Sequence, residues 1–248
     1  MIRLKNDREI AGIRESCRLL SQLLGEVKNI VREGITTKDI DAFVRSRCRE
    51  LGAKPAFLGY DGYPAAICTS PNDTVIHGIP NKRKLRSGDI LSLDCGLDYE
   101  GFFSDAAFTL PIGQVSAENR LLMQVTRECL ELAVEKAVCG NRVSDISKAV
   151  YARAKKHRFG VVRQFCGHGV GFSQHEEPQI PNYPSPGPSP RLKPGMVLAI
   201  EPMINAGGDD VEVLEDDWTV VTGDGSFSAH FEHTLAIFAD HTEILTAW

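Results

Sequence analysis

Apolar residues recur in steps of three and four from Ile10 through Ile13, Cys17, Leu20, Leu24 and Val27 to Val31. That period predicts an amphipathic helix over about 6–32, closed by Gly34. A second helix is expected from a cap at Thr37, with Ile40, Phe43, Val44, Cys48 and Leu51 on its apolar face and Gly52 past its end. Gly/Pro/Tyr-rich loops and short strands follow at Lys54–Pro64, Ala65–Thr69 and Thr74–Ile79. Ile90–Asp94 reads as a strand, Asp98–Gly101 as a turn, and Phe102–Leu110 as the returning strand. After Gly113 the pattern restarts with a long helix over Ala117–Val138, ended by Gly140, and a second one capped by Ser144 and running to Arg158. Glycine-rich strands come next, then a loop over 178–194 with seven of the thirteen prolines. Met196–Glu201, Val211–Leu214, Trp218–Thr222 and Ser228–Ala239 read as strands.

The second half echoes the first. Gly34, Asp39, Ile40 and Val44 align with Gly140, Asp145, Ile146 and Val150 at an offset of 106. Leu85, Gly88, Ile90, Leu93 and Asp94 align with Leu192, Gly195, Val197, Ile200 and Glu201 at an offset of 107. We therefore expect an α+β fold of one domain over 1–248. Its repeat units, about 6–112 and 117–240, are helix–helix–strand halves related by a pseudo-twofold around one sheet.

Composition narrows the class. The 248 residues carry a formal net charge of −5, which argues against a nucleic-acid binder. No apolar run approaches a membrane span, and the N-terminus carries no signal-peptide core. Seven cysteines, an odd number without a C-x-x-C pair, read as reduced thiols of a cytoplasmic protein. Cys17, Cys48 and Cys129 fit as small core residues of helices.

The chemistry concentrates in Cys166–Pro178, where Gly167, Gly169 and Gly171 surround His168, and His175 follows seven residues later. Each glycine disfavours a helix by about 1 kcal/mol, so the stretch reads as extended chain that something approaches closely. Taken alone it is a metal site, a pair of catalytic imidazoles, or a turn with two surface histidines. On the predicted hairpin, a turn at Tyr99-Glu100 would set Asp94 directly opposite Asp105. Facing carboxylates need a shared proton or a cation. Glu201 holds the repeat-equivalent of Asp94, and Glu232 is the candidate for that of Asp105. Four carboxylates and one imidazole on apolar strands suit two divalent cations.

With Asp94 and Asp105 eleven apart, Gly167-His168-Gly169, His175-Glu176-x-Pro178, Pro194-Gly195-Met196, Glu201-Pro202 and Glu232-His233-Thr234 in this order, the whole chain resembles the type I methionine aminopeptidases. Their fold is the pita-bread fold, shared with Xaa-Pro peptidases. The resemblance implies a hydrolase that removes the initiator methionine from nascent chains with a small second residue. Its two divalent ions (Co, Mn, Fe or Zn) would be held by Asp94, Asp105, His168, Glu201 and Glu232, and a hydroxide bridging them would attack the first peptide bond. Glu201 would shuttle protons, His175 would stabilise the oxyanion, and His77 would contact the scissile amide. Phe57, Tyr60, Tyr63, Cys68 and Trp218 would line the methionine pocket, and Asn72, Thr74 and Ser228 would hold a Na or K ion. The resemblance further implies a monomer whose partners are N-terminal peptides, with the ribosome surface as a second candidate partner and no membrane or nucleic acid. A relative of altered first-residue specificity, an Xaa-Pro peptidase and a non-enzymatic module on the same scaffold are the alternatives.

Three positions depart from the family pattern. Gln174 stands where a phenylalanine usually lines the pocket, His230 where a glutamine is usual, and Ser104-Asp105-Ala106-Ala107 where Gly-Asp-Thr-Ser is usual. The expectation from Gln174 is a polar pocket wall and weakened methionine selectivity. His230 is read either as a partner of a ligating carboxylate or as a solvent-facing strand residue.

Overall fold

Reciprocal caps start the first helix pair. In the computed structural model, which describes residues 1–248, the Asn6 carboxamide accepts from the Glu9 N–H at 3.1 Å. The Glu9 carboxylate accepts from the Asn6 N–H at 2.8 Å, and α1 runs over Asp7–Ile30. Helix α2 (Thr37–Glu50) is capped by Thr36, one residue before the expected Thr37. Thr36 has extended backbone and exchanges bonds with Asp39, whereas Thr37 already lies in the helix. Ser116 caps α3 (Ala117–Lys136). Helix α4 spans Val143–Lys156, so Ser144 sits inside its first turn, and the Asp145 carboxylate accepts the Arg142 N–H at 2.9 Å instead.

The two halves share hydrogen bonds as well as sequence. Gly34 N–H donates to Leu85 O at 2.8 Å, and Gly140 N–H to Leu192 O at 3.0 Å. Thr36 bridges to Lys84 in the first half and Arg142 to Arg191 in the second. These contacts tie the loop before each second helix to the turn that opens each acid-bearing strand.

Every strand pair is antiparallel, and the hydrogen-bonded ladders divide into four sets where one unbroken sheet was expected. The first half contributes the hairpin Ile90–Tyr99 and Phe102–Pro111, with Lys54–Pro55 and Cys68–Pro71 on the outer side of its first arm. The second contributes Glu176–Ile180, Gly167–Gly169, Val197–Ile200, His233–Ile237 and Thr242–Ile244, hydrogen-bonded in that order. Glu176–Ile180 thus takes the start of the expected proline-rich loop. Two three-stranded ladders complete the curved surface.

Leu20, Leu24, Val44, Leu93, Leu130, Val150, Leu198 and Leu235 belong to one continuous buried cluster that spans both halves. Cys17, Cys48 and Cys129 are buried free thiols, in keeping with their helical spacing. No helix is long and apolar enough to cross a membrane.

Candidate metal centre and its cavity

The hairpin register differs from expectation. Glu100 and Gly101 both have positive φ, 53° and 83°, and make a two-residue turn that pairs Tyr99 with Phe102. Asp94 therefore faces Ala107, and Asp105 faces Gly96. The carboxylates still share a face, as diagonal rather than direct neighbours, which places them ~7–8 Å apart at the backbone. Gly96 leaves a bare place opposite Asp105. A Cβ there would lie 2.9 Å from Gln174 Oε1 and 2.9 Å from Phe57 Cε1.

His168 lies at the centre of Gly167–Gly169, between the strands Glu176–Ile180 and Val197–Ile200. A Cβ on Gly167 would come within 2.5 Å of Ala199 O, and one on Gly169 within 2.3 Å of Glu177 O. The glycines thus admit neighbouring backbone to both sides of the histidine. His168 Nδ1 is 2.9 Å from Gly169 O, a contact that requires Nδ1–H as donor. Nε2 is left with its lone pair, 3.3 Å from Glu201 Oε1 and 3.8 Å from Asp105 Oδ2.

Glu201 follows directly on Val197–Ile200. The expected strand Ser228–Ala239 is broken at Phe231-Glu232, where the Glu232 N–H turns aside to donate to Ala107 O at 2.8 Å. Thr234 adds a second stitch, its hydroxyl donating to Asp105 O at 2.7 Å and accepting the Asp105 N–H at 3.1 Å. The ligand strands of the two halves are thereby fixed to each other. Ligand atoms of Asp105, His168 and Glu232 lie within 4.8 Å of one another, with Asp94 and Glu201 on the same cavity wall.

Burial pushes the Asp94 carboxyl up to about 7. It pushes Asp105, Glu201 and Glu232 well above the usual carboxylate range, with mutual repulsion added for Asp105 and Glu232. Burial, aided by His175, brings His168 down to about 3. Asp94 Oδ1, Asp105 Oδ1 and Glu232 Oε1 are buried without a hydrogen-bond partner. Buried carboxylate oxygens are otherwise satisfied in native proteins. Orphaned hard oxygens facing one neutral imidazole nitrogen fit divalent cations.

The cluster forms one wall of a cavity of about 370 Å³. Phe57, Tyr60, Tyr63, Cys68, His77, His175 and Trp218, all expected from the sequence, line it. His175 Nδ1 is 2.8 Å from the Tyr60 hydroxyl, and its ring centroid is 4.4 Å from that of His168. His77 holds a positive φ of 57° and meets Phe165 and Trp218 edge-on. Burial brings its imidazole down to about 4. Phe165 and Cys166 also line the cavity, and their place beside Gly167-His168-Gly169 was the signal that could have found them. Asn182, from the proline-rich loop, donates its amide to Glu201 O at 3.0 Å, a contact with no local sequence signature. Asn72 and Ser228 meet through Ser228 N–H to Asn72 O at 2.8 Å, and Thr74 opens the neighbouring strand Thr74–Ile76.

The structure decides two of the departures, against the expectation for Gln174 and for one of the two alternatives for His230. Gln174 does not line the cavity; it is 1 % exposed, and its Nε2 donates to Asp105 Oδ2. The polar wall is absent because Gly96 lets the amide fold back onto the carboxylate. His230 is also 1 % exposed, so the solvent-facing alternative falls, and its Nε2 lies 3.6 Å from Glu201 Oε2.

The sequence model of metallopeptidase family M24 matches residues 11–239. The chain belongs to this family. A methionine aminopeptidase of Treponema pallidum is 50% identical to it over 99% of this chain and 96% of that protein. The crystal structure of a methionine aminopeptidase from Thermotoga maritima superposes with a TM-score of 0.96 at 43% identity, covering 100% of both chains. A prolidase from Pyrococcus furiosus, at 23% identity and a TM-score of 0.81 over 99% of this chain and 65% of its own, shares the fold. The M24 chain is thus an α+β pita-bread metallopeptidase, a hydrolase that uses divalent metal.

Proposed function

We propose that this M24 chain is a methionyl aminopeptidase, releasing N-terminal methionine from peptides and proteins whose second residue is small. The carrying observation is the shape of one cavity. Its acid–imidazole wall adjoins Phe57, Tyr60, Tyr63, Cys68 and Trp218, a largely apolar recess suited to a thioether.

Asp94, Asp105, His168, Glu201 and Glu232 would hold two divalent ions. Cobalt, manganese, iron and zinc all accept this donor set. Bound cations would supply the positive charge that polarises the scissile carbonyl and acidifies water. The remaining work falls to side chains. Tyr60 Oη lies 2.8 Å from His175 Nδ1; with the hydroxyl as donor, the imidazole proton stands on Nε2, the nitrogen free to donate to the carbonyl oxygen as it gains charge. His175 is kept neutral because burial lowers its pKa. Glu201, whose pKa burial raises, takes the proton released in the attack and returns it to the leaving amine. His77, held beside Trp218, contacts the amide side of the scissile bond. A sodium or potassium ion near the carbonyls of Asn72, Thr74 and Ser228 would brace the strands beneath.

The test is release kinetics on peptides with methionyl, norleucyl, alanyl, glutaminyl and Xaa-Pro starts, with metal assayed on the same sample. Methionyl peptides should be cleaved fastest, chelation should abolish turnover, and Asp94→Ala should be inactive. A prolyl-dipeptide preference, or hydrolysis surviving in Asp94→Ala, would refute the proposal.

A further inference from the structure

His230 has no part in the chemistry above, yet its placement is tightly fixed. It ends the strand Ser228–His230 and pairs with Met203. Thr109, from the other half, holds its main chain on both sides. The Thr109 hydroxyl donates to His230 O at 2.8 Å and accepts the His230 N–H at 3.0 Å. The imidazole is 1 % exposed, and neither ring nitrogen has a hydrogen-bond partner. Its Nε2 is 3.6 Å from Glu201 Oε2, while Oε1 of the same carboxylate is 3.3 Å from His168 Nε2. Glu201 therefore lies between two imidazoles.

The two rings are prepared for different tasks. His168 commits Nδ1–H to Gly169 O and offers a lone pair at Nε2. His230 commits neither nitrogen, so Nε2 is free to carry the proton. Glu201 lines the cavity and His230 does not. A separation of 3.6 Å exceeds a hydrogen bond by a few tenths of an ångström, which a small turn of the carboxylate closes.

The geometry points to His230 as a positioning residue for Glu201: its Nε2–H takes up Oε2 and leaves Oε1, on the His168 side, free to bind a divalent cation. Outer partners of this kind orient ligating carboxylates and set metal affinity.

The inference rests on the metal-centre reading, and the test separates the two. Mn²⁺ is titrated calorimetrically into metal-free full-length wild type, His230→Leu and His230→Gln, and absorption spectra of the Co²⁺-loaded forms are compared. The leucine variant should bind Mn²⁺ about 10–100-fold more weakly. The glutamine variant, which restores an N–H donor, should recover most of that loss. The metal-free leucine variant should melt no lower than wild type, because it removes a buried polar group that has no partner. The Co²⁺ ligand-field bands should keep their intensity in both variants. His230→Met makes the same comparison if the leucine variant is not recovered folded. Wild-type affinity in the leucine or methionine variant would overturn the inference. So would equal losses with leucine and glutamine accompanied by altered Co²⁺ bands, which would make His230 a ligand. A wild type that binds no Mn²⁺ would instead overturn the metal-centre reading.

Discussion

At the scale of single residues, neighbours in sequence serve opposite sides of the centre. Gln174 reaches back to Asp105, whereas His175 faces the cavity and Tyr60. Gln174→Leu should therefore weaken metal binding and lower kcat by about tenfold, the usual loss on removing a ligand's outer partner. Preference for methionyl over alanyl peptides should persist, because the amide does not line the recess. Competition kinetics with paired peptides checks both halves of that expectation. Tyr60→Phe removes the hydroxyl paired with His175 Nδ1 and frees the imidazole to place its proton on either nitrogen. We expect kcat to fall about tenfold with KM little changed, since a group acting at the developing charge contributes mainly to the transition state. The ordered acids and histidines were legible in the chain because their spacing and neighbours are distinctive. The contact of Gln174 was not, because it depends on which residue faces Asp105, and that is set by a turn.

At the scale of elements, the turn decides. A one-residue displacement of the hairpin's centre moves each cross-strand partner by two positions, which preserves the face and changes the neighbour. The alternation of the strands made the shared face of Asp94 and Asp105 readable. It could not reveal that Gly96, rather than another acid, stands opposite Asp105. Gly96→Ala should overpack Phe57 and Gln174 at a cost of about 1–3 kcal/mol. Thermal melting should report that loss, and metal titration a weaker site, as the Gln174 amide is pushed off Asp105. The helix starts at Thr36 and Arg142 were missed by one and two residues because several adjacent polar side chains can cap and only the hydrogen bonds choose.

Helix α4 is joined to the second half's strands through Asp209, which accepts from Lys155 at 2.6 Å, Val161 N–H at 2.9 Å and Arg163 at 2.8 Å. Burial alone would raise its pKa, and these donors outweigh burial to lower it. A lowered carboxyl pKa contributes stability that is present above the unfolded value of 3.8 and is lost as pH falls through the folded value. Asp209→Asn should cost about 1 kcal/mol at neutral pH after screening, and the difference from wild type should shrink below pH 3.8. Urea melts across pH 3–7 measure it; a difference that grows with acid would refute the assignment.

At the scale of the whole molecule, the two halves meet where the fold is least able to stabilise itself. Leu93 and Leu198 lie in one buried cluster, and their strands lead to Asp94 and Glu201. The repeat thus buries apolar surface and converges four acids together, and the second consequence opposes the first. Asp105 shows the conflict most clearly: it is 3 % exposed, with its pKa raised by burial, then by Asp94 and Glu201. Asp105→Asn keeps the shape and leaves an oxygen to accept from Gln174, while removing the charge. In metal-free protein it should raise stability by about 1 kcal/mol, a rise of roughly 2–4 °C in melting temperature for a chain of this size. With divalent metal the order should reverse, because wild type gains the binding free energy of the cations and the variant loses a ligand. Peptide release should be abolished in the variant under both conditions. A metal-free Asp105→Asn protein that melts below wild type would show that the carboxylate is satisfied within the fold itself. A crossover on adding Mn²⁺ would show that the stability given up at this junction is recovered when cations bind, as expected of a site kept for chemistry.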